Sequence, residues 1–220
     1  LLRDLRRHAT SDTADLLRNV PGVGLQGAGG ISSLPVIHGL ADDRVRTQVD
    51  GVSLMAACPN HMNPALSYID PSQVGRINVY AGITPVSVGG DSLGGTIQIE
   101  SATPVFAAPG QGNLISGQVG AFYRGNGNVL GAYLGTSWAN EKLNLTYTGS
   151  TVSADNYKAG GDFKPSGPAA ADRGWIAGDE VGSSAFEAIN QSLGIAYKED
   201  KHLFTAKVDI QNIPYEGFPN

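Results

Sequence analysis

Ile69-Asp70-Pro71-Ser72-Gln73-Val74-Gly75-Arg76-Ile77-Asn78-Val79-Tyr80-Ala81-Gly82 is the stretch from which the rest of this chain is read. Pro71 and Gly82 are breakers, and between them Arg76 to Tyr80 partly alternates polar and apolar residues, the pattern of a half-buried strand. Short stretches of the same kind lie on either side: Pro35 to His38, Arg44 to Val49 before Asp50-Gly51, and Thr96 to Glu100. Ahead of them the spacing predicts a helix over Asp12 to Asn19. Ser11 is placed to cap it, Asp12 and Asp15 put negative charge in its first turn, and Pro21-Gly22 stops it. Residues 1–104 therefore read as a small α+β domain.

Beyond Pro109 the texture changes to period-two alternation. It is strict in Leu143-Asn144-Leu145-Thr146-Tyr147-Thr148, in Ser192 to Tyr197 and in Phe204 to Gln211, and looser over 114–123 and 129–138. Residues 105–220 thus hold about five strands. Gly125 to Asn128, Asn140 to Lys142 and Glu199 to Lys201 are tight turns, whereas Ser153 to Ser184 is a long Gly-, Ala- and Asp-rich loop. Short turns on one side and a longer loop on the other fit an outer-membrane barrel, with Tyr123, Trp138 and Tyr197 as an interfacial girdle and Lys207 and Asp209 facing the lumen. A soluble antiparallel sandwich whose apolar face is its core fits the periodicity equally well.

Composition narrows the function classes. The net charge is −5 with no basic block to neutralise phosphates, so nucleic acid is not an expected partner. One cysteine excludes an intrachain disulfide and a Cys-rich zinc site. No apolar run approaches the roughly 20 residues of a spanning helix, and no signal peptide is visible at Leu1, so the chain reads either as soluble or as a processed protein that meets a membrane as strands. Gly89-Gly90 and Gly94-Gly95 have no Walker spacing and read as positions of positive φ and close backbone approach. No triad order, paired-carboxylate motif or cofactor fingerprint indicates an enzyme.

Chemistry concentrates in one place, Ala56-Ala57-Cys58-Pro59-Asn60-His61-Met62-Asn63-Pro64. A thiol, an imidazole and a thioether within five residues form the donor set a soft ion such as Cu(I) prefers. The prolines frame the segment as an exposed loop. The competing readings are Cys58 as a small buried hydrophobe, for which its neighbours are poor company, and Met62 as packing. Met55, in the apolar run Val52 to Met55, reads as core, and His38 as structural.

The stretch 69–82 resembles a segment of the plug of TonB-dependent outer-membrane receptors. So do Ala14 to Val23, Val36-Ile37-His38-Gly39 followed by Arg44 to Val52, and Gly89 to Ile99, in the family's order. Two positions depart from it: His38 stands where Arg is usual, and Tyr80-Ala81-Gly82 where Arg-Gly-Pro is frequent. The resemblance implies an α+β plug followed by antiparallel transmembrane strands, here a fragment of a plugged barrel of about 22 strands, in the bacterial outer membrane, with outer-membrane lipid and the TonB energy-coupling complex as partners.

Within the family, Ala57 to Pro64 followed by Ser67 to Pro71 looks like the plug segment of outer-membrane copper receptors. There a Cys-x-x-x-Met pair joins a His-x-Met pair from the barrel around copper. Cys58 and Met62 match the first pair, which skips His61, and no His-x-Met occurs in this chain. The resemblance thus implies a receptor that binds and imports copper, as Cu(I), through Cys58 and Met62. The alternatives are a receptor for a siderophore or other metal chelate, and a soluble β-rich binding module.

Overall fold

The computed structural model describes residues 10–27, 29–58, 60, 62–90, 92–169 and 174–219. Two short strands, β1 (Val23–Gly27) and β2 (Ser33–Ile37), form an antiparallel pair. A four-stranded sheet follows from β3 (Val45–Val49), β4 (Val52–Leu54), β5 (Val74–Ala81) and β6 (Gly95–Ser101), in the order β4-β3-β6-β5 with β3 parallel to β6. Asp50-Gly51, both at positive φ, is the two-residue hairpin turn between β3 and β4. Ile37, Val45, Leu66, Ile69, Val74, Ile97 and Ile99 close a core beneath this sheet.

The predicted helix is shorter than expected and of a different kind. Thr13–Leu17 is a 3-10 helix, and its cap is Asp12, whose side chain accepts from the Ala14 amide, rather than Ser11. The Ser11 hydroxyl donates instead to the Gly30 carbonyl. Asp12 also accepts from the Ser33 amide at 3.1 Å, so one carboxylate holds both the helix start and the start of β2. Burial pushes its pKa up to about 6 against these donors. The five residues of this 3-10 helix leave Ala14 and Leu17 facing the core, which a tight turn accomplishes.

Gly95 illustrates the close approach expected of the glycines. Its φ is +126°, and a Cβ there would collide with the Tyr80 carbonyl oxygen on β5. Gly95→Ala is expected to destabilise this domain by at least about 2 kcal/mol through strain and overpacking. A lower unfolding midpoint of the purified protein checks it.

Five long strands form a second sheet: β7 (Leu114–Arg124), β8 (Val129–Ala139), β9 (Leu143–Ala154), β12 (Phe186–Glu199) and β13 (His202–Glu216), each antiparallel to its neighbours. The long connection, residues 155–185, contains a two-residue ladder of β10 (Gly167–Pro168) with β11 (Trp175–Ile176). The two faces of the wall are inverted relative to a sandwich. Val119 and Val208, on the apolar face, are 79% and 63% exposed, whereas Asn144 and Asn190, on the polar face, are 4% exposed or less. The polar face covers the first domain and the apolar face points outward, so the apolar face is not the core that the sandwich reading requires. At the edges of that outer face, the Tyr197 hydroxyl donates to Glu199 and that of Tyr123 to Asn128, turning each phenol toward a polar turn.

Polar bonds stitch the two parts together. The Asp70 carboxylate accepts from Ser150 Oγ on β9 at 2.8 Å and from Asn190 Nδ2 on β12 at 2.9 Å. Gln211 donates to the Ser67 carbonyl, and Lys207, paired with Asp209, donates to Ser101. The linker after β6 runs along the end that carries the 140–142 and 199–201 turns, whereas the tight 125–128 turn shares the other end with the long connection: Ala107 N–H donates to the Asn140 carbonyl and Gly110 N–H to Glu141.

Candidate functional site

The backbone around Cys58 and Met62 is an arch with both feet on one side chain. Asn63 leads through Pro64, the N-cap, into the 3-10 helix Ala65–Tyr68, which Leu66 anchors in the core. That helix carries Tyr68 back beneath the arch. Its hydroxyl accepts from the Ala57 amide at 2.9 Å and donates to the Asn63 carbonyl at 3.0 Å. Residues 57 and 63 are thereby held on a single oxygen, with Cys58 and Met62 each next to one of these two feet. Asn63 is fixed a second time, its Nδ2 donating at 3.1 Å to Glu216 Oε2, while the other Glu216 oxygen accepts from Ser32.

Glu216 fixes where the arch lies. It ends β13 opposite Phe186 at the start of β12, at the far end of the strands from the 199–201 turn and beside the long 155–185 connection. Cys58 is a free thiol, half-buried, and Met62 is 36% exposed. Both are soft donors, a half-buried thiol and a partly exposed thioether, and they lie toward the long-loop end of the strands. Pro59 and His61 lie outside the described residues, as does His8.

Other sequence candidates separate from this site. Met55 is 79% exposed, which corrects its assignment to the core: β4 ends at Leu54, so the apolar run leaves the sheet before its last residue. It borders a cleft of about 370 Å³ with Arg46, Ser53, Pro64 and Leu66. His38, at φ +50° in a tight turn, lays its imidazole over Gly22. His202 stacks on Phe204 next to the 199–201 turn, at the opposite end from the arch. Among the described residues no group of three or more His, Cys, Asp or Glu side chains is placed to hold a metal ion. The contributors that sequence reasoning missed are Tyr68, Asn63 and Glu216. Spacing could have suggested Asn63, which adjoins Met62, but nothing local marks Tyr68 or the distant Glu216.

Comparison with known proteins agrees with this architecture. Residues 2–96 match the family model of the TonB-dependent receptor plug domain. A hemin receptor of Yersinia enterocolitica is 32% identical over 108 residues, covering 46% of this chain and 15% of that receptor; one of Yersinia pestis is 34% identical over 100 residues, covering 44% and 14%. The chain therefore matches only a small part of the length of these relatives. Among solved structures, the copper transporter OprC superposes with a TM-score of 0.74 at 24% identity, over 97% of this chain and 30% of that one. The Serratia marcescens hemophore receptor HasR gives 0.67 at 16% identity, over 95% and 30%.

Proposed function

We propose that this chain, whose residues 2–96 match the TonB-dependent receptor plug domain, forms the plug and part of the wall of an outer-membrane receptor that binds and imports copper. The observation that carries the copper reading is the pinned arch, with a thiol and a thioether at the long-loop end of the plug. The outward apolar face of the wall meets lipid, and further strands complete a closed barrel in the whole receptor, since an open edge is not stable in a bilayer.

Copper enters from outside past the 155–185 loop. Cys58 exchanges its thiol proton for Cu(I), releasing the proton to water, and Met62 adds a neutral thioether bond that needs no deprotonation. The arch holds the ion until TonB, pulling on the plug, disturbs the plug–wall hydrogen bonds and opens the way inward. The test is uptake of radiolabelled copper by cells with and without the receptor, each with TonB intact or deleted. Receptor- and TonB-dependent accumulation is expected; equal accumulation in all four strains contradicts the proposal.

A second reading, import of hemin, is favoured by the identity to the Yersinia hemin receptors. It requires no sulfur ligand on the arch, so substituting Cys58 separates the two readings.

Orientation follows from the linker. It joins the wall at the end that carries the turns at 140–142 and 199–201, which supports an orientation with those turns in the periplasm and residues 155–185 outside. Protease added to intact cells is expected to cut first within 155–185; cuts confined to the 140–142 and 199–201 turns reverse the topology.

A further inference from the structure

We infer that Tyr68 is a positioning residue for copper, setting the separation of Cys58 and Met62 through its hydroxyl; this rests on the copper reading of the arch. A two-ligand grip depends on the distance between its donors, and a loop free at its feet samples many such distances at an entropic cost on binding. Here the feet are not free. The Tyr68 oxygen joins the Ala57 amide to the Asn63 carbonyl, so the span across the arch equals two hydrogen bonds meeting at one atom. Tyr68 can hold that atom still because its helix follows Asn63 directly and is seated in the core by Leu66. The Asn63 side chain, tied to Glu216 on β13, keeps the second foot from following the first. Tyr68 itself supplies no metal bond in this account. It acts through the two sulfurs.

Tyr68→Phe removes the hydroxyl and keeps the ring. In the whole receptor, Cu(I) affinity read by competition with a chromophoric chelator is expected to fall about tenfold, at unchanged stoichiometry, and X-ray absorption should count fewer sulfurs around copper. In apo receptor, alkylation of Cys58 should become several-fold faster. The effect should vanish in a Met62→Ala background, where there is no second sulfur left to place. A merely structural role would lower the unfolding midpoint and leave the sulfur count and the background dependence unmoved. Wild-type affinity and sulfur count in Tyr68→Phe overturn the inference. If that variant does not assemble, Ala57→Pro removes one of the two bonds and leaves Tyr68 in place; a smaller loss of affinity is expected, and wild-type affinity there overturns the inference equally. Cys58→Ala, measured in parallel, tells the two failures apart: copper held at full affinity without Cys58 refutes the copper reading, whereas copper lost without Cys58 but unaffected by Tyr68→Phe refutes only the role of Tyr68.

Discussion

Cys58→Ala in the whole receptor is expected to weaken copper binding about a hundredfold or more, a loss of about 2.7 kcal/mol, while leaving the fold in place. A thiolate contributes charge and a strong soft bond, and no neighbouring carboxylate cluster among the described residues stands ready to replace it. Met62→Ala removes a neutral, weaker donor and should cost about tenfold. Because Cys58 is only half-buried and belongs to neither hydrophobic cluster, its loss should change stability by no more than about 0.5 kcal/mol. Titration of wild type and both variants, with unfolding followed on the same samples, checks all three statements. Equal losses for the two variants would mean that the thiol is not the dominant ligand, and full binding by Cys58→Ala would leave the hemin reading in front.

Asp70→Ala is expected to produce the largest effect on the seating of the plug. Asp70 is the N-cap of the 3-10 helix Pro71–Gln73, accepting from the Ser72 amide and hydroxyl, and with its other oxygen it accepts from Ser150 and Asn190 on adjacent wall strands. Removing it leaves the almost fully buried Asn190 without its carboxylate partner. Unmade buried hydrogen bonds cost about 1 to 3 kcal/mol apiece, so a loss of about 2 to 4 kcal/mol is expected. Hydrogen exchange in the intact receptor should show faster opening of β5 and of the facing parts of β9 and β12. Protection equal to wild type would show that Gln211 and Lys207 hold the seam without Asp70.

The elements that sequence reasoning found are those whose local chemistry and final environment agree. Strict alternation in Leu143 to Thr148 became β9 because every second side chain does meet a different medium, and Asp50-Gly51 became a turn because its backbone conformation suits few other pairs. Where the environment is set from far away, local reading failed. The Asp12 to Asn19 stretch carries helix signals, but its length is dictated by a carboxylate that must also reach Ser33. Met55 belongs to an apolar run and still lies outside the core, because β4 pairs with β3 only as far as Leu54. Periodicity alone left barrel and sandwich level, since it reports two faces and not which one is covered; the buried asparagines on the polar face supply that answer. At the arch, the two residues proposed as donors, Cys58 and Met62, were legible as a thiol and a thioether in one short segment. What fixes their spacing was not, because Tyr68 has no local signature and Glu216 is 153 residues from its partner Asn63.

The central claim, that this receptor takes copper through its plug arch, is tested most directly by offering the purified whole receptor copper under reducing conditions together with hemin, removing unbound ligand, and measuring metal by mass spectrometry alongside the visible spectrum. One copper per receptor with no heme absorption is the expected result. Bound heme with no retained copper would contradict the claim.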